Sequence, residues 1–402
     1  MSRKTLKSLF HMGTNDFKEE YERRFNDENT IHLPVNIGDN PAFICQTPEI
    51  YKQIISILRL DKKVAALSFS LPPIAIEQFT TRCMIDEIIL TNDIEGVHST
   101  RKEVSEIIQD LSSQNKRNRL VGLITKYVML VKKQQMSFKN CQDIRKAYDD
   151  IFYEEIKATD PKNLPDGEMF RRSGVEVQSA SQKVIHKGLM PENKIIETLD
   201  QSLSILNNND IEVFIRIAVF HYLFGYIHPF YDGNGRTSRF ISSYLLSKQL
   251  TPLIGFRLSY TIKENISKYY KAFDICNSPH NKAELTPFIE MFLNIVEISM
   301  QQLLETLTDK KNKWDYYYHR LSKLPNSSKP DISELYDYLI QAALFSNNGI
   351  SREELINHMN LSANTVRSRL SLIPESLLIE KRQKSKKYYL LDLEEADKLF
   401  EE

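Results

Sequence analysis

Apolar residues recur at helical spacing along most of this chain. The first clear series comprises Tyr51, Ile54, Ile55 and Leu58. This is the i, i+3, i+4, i+7 pattern of an amphipathic helix, in which one face packs against a core. Pro72 and Pro73 end the series, and a second helical pattern continues to Ile94. Similar patterns follow as far as Leu304, so the sequence predicts a mainly helical protein.

Alternation of apolar and polar residues, which is typical of a strand, is confined before the C-terminal region to residues 174–187. Val175 and Val177 alternate with polar residues, and Ser179–Gln182 predicts the turn of a β-hairpin. A two-stranded hairpin is marginal in water, so this one must pack on helices. Residues 1–48 show little periodicity and predict an extended, loosely organised lead-in.

A change of composition at residues 309–330 predicts a linker, because lysines and a Leu-Pro-Asn-Ser-Ser-Lys-Pro segment replace the apolar series. Three helical patterns follow within residues 331–402, and two short strands then flank the basic segment Lys381–Lys387. Helix, helix-turn-helix and a two-stranded wing together predict a small winged-helix domain. The other boundaries place an N-terminal helical region at residues 1–115 and a central domain at residues 116–308.

The charge of the winged-helix region decides between two kinds of partner. Arg367 and Arg369 on its third helix, with the basic wing, could contact the phosphates of DNA. Residues 326–402, however, contain 13 acidic and 10 basic side chains, which is a poor electrostatic match for DNA. We therefore favour a winged helix that binds a protein or forms a homodimer over one that binds DNA.

The whole chain carries no net charge, since 53 basic residues balance 53 acidic ones. No global field therefore favours nucleic acid or a membrane surface. The cysteines are scattered without a C-x-x-C pair, which argues against a metal cluster or a disulfide framework and fits a reducing compartment. They are Cys45, Cys83, Cys141 and Cys276. With no signal peptide between Met1 and Asn15 and no segment apolar enough to span a bilayer, the sequence predicts a soluble cytoplasmic protein.

The stretch from His228 to Arg239 concentrates the chemistry of the chain. It reads His-Pro-Phe-Tyr-Asp-Gly-Asn-Gly-Arg-Thr-Ser-Arg between two helical patterns, so it predicts a tight loop that leads into a helix. Its glycines let the backbone approach a ligand closely, and the amides of the first helical turn attract anions. Arg236 and Arg239 share one helix face and can clamp a polyphosphate.

Two further side chains complete this predicted site. Asp232 offers the hard oxygen ligand that Mg²⁺ prefers, and His228 is of the residue type whose unperturbed pKa suits proton abstraction near neutral pH. Asp-Gly and Asn-Gly pairs also occur in ordinary turns, but a turn requires neither the histidine nor both arginines. An anion cradle, a metal ligand, a base and an arginine clamp so close together predict phosphoryl or nucleotidyl transfer.

The same stretch resembles the signature of the Fic family, His-Pro-Phe-x-x-Gly-Asn-Gly-Arg-x-x-Arg, at every specified position. Fic proteins are all-helical and typically transfer AMP from ATP to a hydroxyl side chain of a target protein. The resemblance therefore implies a Fic helical bundle for residues 116–308, with ATP as substrate and Mg²⁺, or Mn²⁺ in its place, as cofactor. Gly235 separates this chain from the phosphorylating branch of the family, which carries a bulkier basic residue there.

The resemblance also implies a role for each residue of the signature. His228 would take the proton from the target hydroxyl, Phe230 would anchor the loop in the core, and Asp232 would bind the metal that bridges the α- and β-phosphates. The glycines and the asparagine would bind the α-phosphate, and the two arginines would hold the β- and γ-phosphates. The residues assigned to the phosphates are Gly233, Asn234, Gly235, Arg236, Thr237, Ser238 and Arg239.

Two other regions resemble parts of Fic proteins. Tyr269, Tyr270 and Asn277 would line the nucleoside pocket. Residues 174–187 would form the flap, a hairpin that covers the site and binds an extended segment of the target protein by strand addition. Because such pairing reads few side chains, the resemblance leaves the identity of the target open.

The string Thr91-Asn92-Asp93-Ile94-Glu95-Gly96 predicts the end of a helix, with Gly96 as a left-handed stop. It also resembles the inhibitory motif of the Fic family, Ser/Thr-x-x-x-Glu-Gly/Asn, in the class where this motif precedes the catalytic domain. The resemblance implies that Thr91, Glu95 and Gly96 belong to an inhibitory helix and that Glu95 pairs with Arg239. The γ-phosphate would then lose its arginine, and basal activity would be low.

The sequence thus predicts a protein adenylyltransferase that modifies a tyrosine, threonine or serine of a target or of itself and restrains itself through Glu95. The absence of a P-loop and of the protein-kinase motifs removes the commonest users of ATP. Three alternatives remain open at this point: removal of AMP with Glu95 orienting a water, transfer from another nucleotide donor, and a DNA-binding regulator whose central domain senses a nucleotide. The residues do not decide the target, the oligomeric state or what releases Glu95.

Overall fold

The computed structural model describes residues 3–13, 16–111, 118–178, 184–383 and 386–401. The chain divides into two compact units. Unit 1 contains Met1–Asp61 and Asp86–Met300, and unit 2 contains Lys62–Ile85 and Gln301–Glu402. Helices predominate in both, which confirms the predicted mainly helical class.

The helices are, in chain order, α1 (Leu6–His11), α2 (Asp16–Phe25), α3 (Pro48–Phe69), α4 (Pro73–Ile94), α5 (Arg101–Asp110), α6 (Val121–Val131), α7 (Cys141–Thr159), α8 (Glu192–Asn207), α9 (Val213–Ile227), α10 (Asn234–Gln249), α11 (Leu258–Glu264), α12 (Ile266–Asn277), α13 (Thr286–Tyr318), α14 (Pro330–Phe345), α15 (Arg352–Met359), α16 (Ala363–Leu370) and α17 (Leu393–Glu401). The strands are β1 (Thr30–Ile37), β2 (Asn40–Cys45), β3 (Glu176–Gln178), β4 (Val184–Lys187), β5 (Ile350–Ser351), β6 (Leu378–Gln383) and β7 (Lys386–Leu391). None of the helices in the described part of the chain combines the length and the apolar character that crossing a bilayer requires.

The N-terminal region is more regular than the sequence predicts. In place of an extended lead-in, β1 and β2 form an antiparallel hairpin that turns at residues 38–39. Alternate residues of β1 face the core, and Pro34 between them is exposed. The buried ones are Leu33, Val35 and Ile37. The prolines concealed this alternation, because proline signals a break although an edge strand tolerates it. The prediction of a single β region before the C-terminus is therefore wrong.

Helix α9 forms the centre of unit 1. Most of its side chains are buried, and α8 and α10 pack against it, as expected for a helix that is apolar on all faces. His221 in its middle bonds to Ser242 at 2.8 Å and to Tyr269 at 2.7 Å. Burial lowers the pKa of His221 to about 3, so this histidine is neutral and structural.

The hairpin predicted at residues 174–187 is present as an antiparallel pair of β3 and β4. Residues 179–183, which include the whole of the predicted turn, lie outside the described residues. Gly188 extends the pairing by donating to the carbonyl of Val175 at 3.0 Å, and Leu189 donates to the carbonyl of Ile227 at 3.1 Å. The chain that leaves β4 is thereby fixed to the end of α9.

Within unit 2, the elements after residue 330 follow the order that the winged-helix prediction requires. Helices α15 and α16 are joined by a short turn in which Asn360 has a left-handed φ of 51°. Strands β5, β7 and β6 form an antiparallel sheet in that order. Ser351 and Glu354 form a capping box at the start of α15. The designation as a winged helix stays a prediction, supported by this element order.

The predicted linker at residues 309–330 is helical over its first half, because α13 continues to Tyr318. Lys311 and Asp315, one turn apart, form an ion pair at 2.7 Å on this helix, the spacing that stabilises an exposed helix. The polar composition of this segment therefore reflects exposure to solvent and does not mark the end of the helix.

Candidate active site

The site begins where α9 ends. His228 follows the last helical residue and has a left-handed backbone, with φ 53° and ψ 60°, while its N–H still donates to the carbonyl of Phe224 at 2.9 Å. This conformation is uncommon for a residue with a side chain, and it turns the chain out of the helix. The position of the imidazole therefore depends on whatever stabilises this turn.

Arg171 stabilises the turn. Its side chain is fully buried. The guanidinium donates to the carbonyl of His228 at 2.9 Å, to those of Ser173 and Leu189 at 2.7 and 2.8 Å, and more weakly to that of Ile227 at 3.4 Å. Among the described residues, the hydrogen-bond acceptors of Arg171 are backbone carbonyls, and none is a carboxylate. A guanidinium has enough N–H donors to bind this many carbonyl groups at once. The sequence analysis missed Arg171 because no local pattern marks a residue that acts on a loop distant in the chain.

The loop that carries Arg171 is itself built around one carboxylate. Glu192, at the start of α8, accepts hydrogen bonds from the amides of Glu168 at 3.1 Å and of Met169 and Phe170 at 2.8 Å. Burial opposes ionisation of Glu192, but these amides outweigh it and lower the pKa of the carboxyl group. The carboxylate thus fixes the loop from which the arginine reaches the end of α9.

The loop after His228 is fixed by aromatic packing and by one amide side chain. Phe230 is fully buried and stacks on Tyr148 with ring centroids 3.5 Å apart, so it anchors the loop as predicted. The side chain of Asn234 donates to the carbonyl of Phe230 at 2.8 Å and accepts its N–H at 2.9 Å. Asn234 therefore shapes the loop with its side chain and leaves only its backbone amide for a ligand.

Helix α10 presents a free N-terminus at the same place. It begins at Asn234, directly after Gly233, whose φ of 78° is left-handed. The first helical bond runs from Thr237 to the carbonyl of Gly233 at 2.9 Å. In the described part of the chain, the amides of Asn234, Gly235 and Arg236 have no protein acceptor. Unpaired amides at the positive end of a helix dipole bind anions, so the donors of the predicted anion cradle are free.

Arg236 is fully buried beside a carboxylate that the sequence analysis missed. Its Nη1 donates to Glu155 Oε1 at 2.7 Å, and its guanidinium lies 4.5 Å from the ring centre of Phe152. Its Nε and Nη2 find no hydrogen-bond acceptor among the described residues, although Nη2 lies 3.6 Å from Asp232. A buried donor without an acceptor is costly. These two nitrogens of Arg236 can therefore still bind the phosphate that the sequence analysis assigns to this side chain.

Arg239 joins α10 to the predicted inhibitory helix, α4. Its Nη2 donates to Glu95 Oε1 at 2.7 Å and to the carbonyl of Thr91 at 3.0 Å, and its Nε donates to Thr91 Oγ1 at 2.9 Å. Helix α4 ends at Ile94, and Gly96 has a left-handed φ of 71°, as predicted for the stop. The contact predicted between Glu95 and Arg239 is present.

Glu95 also lies against the N-terminus of α10. A Cβ atom at Gly235 would be 2.1 Å from Glu95 Oε1, so only glycine leaves room for the carboxylate there. The charge of Glu95 reaches His228 as well, because it is one of the influences on the pKa of that imidazole. The carboxylate, 31% exposed, therefore lies at the place where His228, the free amides and Arg239 meet, and it carries the charge sign of a phosphate.

A further side chain fastens α4 on the same face. Glu87, Thr91 and Glu95 are one helical turn apart in succession, which puts them on one side of the helix. Glu87 is fully buried and accepts hydrogen bonds from the amide of Ser259 at 2.9 Å and from its hydroxyl at 2.5 Å, at the start of α11. The sequence analysis missed this carboxylate, which lies among apolar residues of the helix.

The environment of Glu87 predicts a pH-dependent stability. Burial raises its pKa to about 6, against the hydrogen bonds from Ser259. A raised pKa in the folded state means that the stabilisation is present below pH 4.5 and is lost as the pH rises through about 6. Between these pH values the free energy of unfolding of the wild type should fall by about 2 kcal/mol because of Glu87. In Glu87→Gln, which cannot titrate at this position, we expect this fall to be absent. Urea unfolding at a series of pH values measures it, and an unchanged pH dependence would contradict the assignment.

His228 is neutral at physiological pH. Burial, and next the charge of His186, lowers the pKa of His228 to about 4, while Glu95 acts in the opposite direction. A hydrogen bond with the backbone of Gly225 involves one ring nitrogen, so the other can accept a proton. His186 lies on β4 and bonds to the carbonyl of Tyr226, which fastens the flap beside the imidazole.

Two side chains assigned to the phosphates face their own helix instead. Thr237 Oγ1 donates to the carbonyl of Gly233 at 2.8 Å, and Ser238 Oγ donates to that of Gly235 at 3.3 Å. Short hydroxyl side chains commonly bond to carbonyls one turn back in a helix. These hydroxyls complete the first turn of α10, and the phosphate-binding role given to the two residues stays a prediction.

The residues assigned to the nucleoside pocket differ in their surroundings. Tyr269 is buried, and its hydroxyl bonds to His221 of α9. Asn277 Oδ1 accepts a hydrogen bond at 2.8 Å from Tyr222, which is buried and also lies in α9. Tyr270 is 40% exposed, and burial followed by the charge of Glu95 raises its pKa. Tyr270 therefore lies beside the inhibitory pair and is the best placed of the three, and the pocket stays a prediction.

Asp232 fits the metal assigned to it only in company with phosphates. Its side chain is 49% exposed, and one oxygen accepts the N–H of Gly233 at 2.5 Å. Within the described ranges, no group of three or more His, Cys, Asp or Glu side chains could hold a metal by itself. Mg²⁺ usually binds through one or two carboxylates plus phosphate oxygens and water, and an accessible carboxylate beside an anion cradle satisfies that requirement.

Comparisons with known proteins agree with this geometry. Residues 138–246 match the model of the Fic/DOC family. Two relatives named protein adenylyltransferase Fic, from Drosophila ananassae and Aedes aegypti, are 25% and 27% identical over 260 and 257 residues. These matches cover 62% and 61% of this chain and 48% and 47% of the relatives, so the chain spans about half the length of the curated relatives it matches.

One solved structure supports the fold. A Fic family protein from Desulfovibrio desulfuricans G20 superimposes with a TM-score of 0.53 at 20% sequence identity, over 90% of this chain and 98% of that one. The fold and the site together define a helical domain in which free amides and buried arginines surround one carboxylate. Residues 138–246 therefore carry a Fic/DOC domain, and the Fic fold predicted for the central domain is confirmed.

Proposed function

We propose that this chain is a protein adenylyltransferase, which transfers AMP from ATP to the hydroxyl of a tyrosine, threonine or serine on a target protein or on itself. The observation that supports it most directly is the convergence of His228, the free amides of α10 and the arginines around Glu95. The adenylyltransferase names of two relatives support the same reaction.

The proposed reaction uses residues of the signature for distinct tasks. The target hydroxyl oxygen attacks the α-phosphorus of ATP while His228 takes its proton, and the bond to the bridging oxygen breaks, so that pyrophosphate leaves and AMP is joined to the target. The amides of Asn234, Gly235 and Arg236 stabilise charge on the α-phosphate, and Arg236 with Arg239 binds the outer phosphates. Asp232 would hold Mg²⁺, which neutralises phosphate charge when bound.

The flap gives this reaction a site for the target. In the described residues β3 and β4 pair only with each other, so the outer edges of the hairpin can accept an extended segment by strand addition. Strand β4 is held beside His228 by the bond from His186 to the end of α9. A target strand on this hairpin would therefore bring its hydroxyl close to the base without a requirement for particular neighbouring side chains.

Glu95 restrains this activity in the same proposal. It holds Arg239 through a hydrogen bond of 2.7 Å and occupies the space beside Gly235. An ATP molecule must displace this carboxylate or bind without its γ-phosphate on Arg239, and the second arrangement misaligns the α-phosphate for in-line attack. Low basal activity follows, with release of Glu95 as the activating event.

The test compares wild type and Glu95→Gly after incubation with ATP and Mg²⁺, with the products read by intact mass. We expect adducts of one AMP each, formed about tenfold faster in the variant, because one charge-assisted hydrogen bond no longer opposes nucleotide binding. A phosphate adduct in place of AMP, or no adduct in either protein with a panel of hydroxyl-bearing target proteins, would overturn the proposed activity.

Asp93→Gly is the matched control, since it removes an acidic residue from the same helix end whose partner is Lys263 and not an arginine of the site. We expect it to label at the wild-type rate. If Asp93→Gly accelerates labelling as much as Glu95→Gly does, loosening of α4 and not removal of the carboxylate explains the gain, and the competition mechanism is wrong.

A further inference from the structure

The charges of the C-terminal region are segregated in a way that its total composition hides. Residues 360–391, which contain α16 and the β6–β7 hairpin, hold 7 basic and 2 acidic side chains. The other acidic residues of this region lie in α14, α15 and α17, at Asp392 directly before α17, and at the chain end. The region is therefore acidic as a whole but basic on α16 and its wing, and a surface field depends on the local distribution of charge.

The exposed face of α16 has the composition of a surface that reads nucleic acid. It carries Asn364, Arg367 and Ser368, and Ser371 directly follows the last helical residue. Their spacing of i, i+3, i+4 and i+7 puts these hydrogen-bonding side chains on one side, opposite the buried Val366 and Leu370. No aspartate or glutamate occurs between residues 360 and 374. Arg367 has no carboxylate partner among the described residues, so its guanidinium is free for a ligand.

The wing of the same region adds further basic side chains. Lys381 and Arg382 on β6 and Lys387 on β7 are exposed or half-exposed. Lys387 and Arg382 pair with Glu380 at 2.7 and 3.3 Å, but such surface pairs contribute little and yield readily to phosphates. Lys381 has no carboxylate partner in the part of the chain that the structure describes.

The same surface lacks what a protein partner would need. Exposed large apolar side chains of the described chain include Phe69, Tyr316 and Tyr318 in unit 2, and none lies between residues 326 and 401. The centre of a protein interface is depleted of charge and rich in large apolar and aromatic groups, whereas an interface with nucleic acid is polar and basic. These observations favour nucleic acid over a protein as the partner of this surface.

We propose that α16 and the β6–β7 wing bind duplex DNA, with α16 in the major groove and the wing on the phosphate backbone. A helix of this kind fits the major groove of B-form DNA, whereas the major groove of an RNA duplex is too narrow for it. Asn364 and Arg367 can bond to base edges, and Lys381 can contact a phosphate. This function is separate from AMP transfer, and it would place the nucleotide site on a protein that also occupies DNA.

The test uses the full chain and a fluorescent mixed-sequence duplex of about 30 base pairs, with binding read by anisotropy between about 50 and 200 mM salt. We expect micromolar affinity at the lower salt and a linear loss of log affinity with log salt. Arg367→Ala should weaken binding by about fivefold to tenfold, and Lys381→Ala should reduce the salt slope by about 0.9. Both side chains lie at the surface, so the variants keep the fold, which circular dichroism checks.

Lys398→Ala is the matched control, because it removes an equally exposed positive charge from α17, and it should bind as wild type does. No binding at about 100 µM protein and low salt would overturn the proposal, and so would equal effects of all three substitutions. Tighter binding to the RNA duplex of the same sequence would exclude the groove assignment. Self-association that Arg367→Ala abolishes in sedimentation, without DNA binding, would instead identify a homodimer surface.

Discussion

Replacing His228 by alanine should lower the rate of AMP transfer by about 10²- to 10⁴-fold, the usual contribution of a general base. Nucleotide affinity should change by less than about threefold, because the imidazole acts on the target hydroxyl and not on the bound phosphates. The effect is best seen in the Glu95→Gly background, where turnover is highest. Single-turnover labelling measures the rate, and nucleotide titration by calorimetry measures affinity.

His319→Ala provides the comparison, since it makes the same substitution at an exposed histidine just beyond the end of α13. It should leave both quantities unchanged. A His228→Ala protein that keeps more than about a tenth of the rate would show that another group takes the proton. Equal losses of rate and of nucleotide affinity would instead assign His228 to ATP binding.

The pH profile gives His228 a second signature. Its pKa of about 4 means that the imidazole is neutral, and able to act as a base, at all pH values well above 4. The rate should therefore fall only when the pH approaches 4, where the imidazolium form appears. Glu95 raises the pKa of His228, so its removal in Glu95→Gly should move this acid limb to lower pH. A limb near 6.5 in that variant would assign the titration to another group.

The signature could be recognised in the sequence because its residues are close together in the chain as well as in the site. The spacing of Arg236 and Arg239 and the glycines of the loop define a helix start directly, and α10 begins at Asn234. The pairing of Glu95 with Arg239, far apart in the chain, followed only from the resemblance to a family. Periodicity alone predicts where helices end, but it does not predict which helix ends contact each other in the fold.

The features that sequence reasoning missed share one property, which is that their partners are distant and their local context is ordinary. Glu155 and Glu87 each follow another acidic residue in a helix, so nothing local distinguishes them, and only the fold brings one to Arg236 and the other to the start of α11. The charge of the C-terminal region illustrates a related point. The net charge of residues 326–402 does not show where the charges lie, whereas binding depends on which charged side chains share one surface.

Arg171 is the residue on which the position of the site depends most, and replacing it by methionine should show this. Methionine matches its length but donates no hydrogen bond, so the carbonyls of His228, Ser173 and Leu189 would lose the donor that Arg171 supplies. We expect the free energy of unfolding to fall by about 3–5 kcal/mol. The left-handed turn at His228 would then relax, and AMP transfer should fall by about 10²-fold even under conditions where the protein is fully folded.

A second measurement separates this positioning role from general loss of structure. The charge of Arg171 is among the influences that lower the pKa of His228, so removing it should raise that pKa and move the acid limb of the rate to higher pH. Arg171→Lys keeps the charge but supplies fewer donors, and it should leave the limb in place while recovering part of the stability. Arg172→Met, at the exposed neighbouring position, controls for the substitution itself. If Arg171→Met loses stability but keeps the wild-type rate and acid limb when folded, then Arg171 only holds the fold, and the geometry of His228 must be maintained by Phe230 and Asn234 alone.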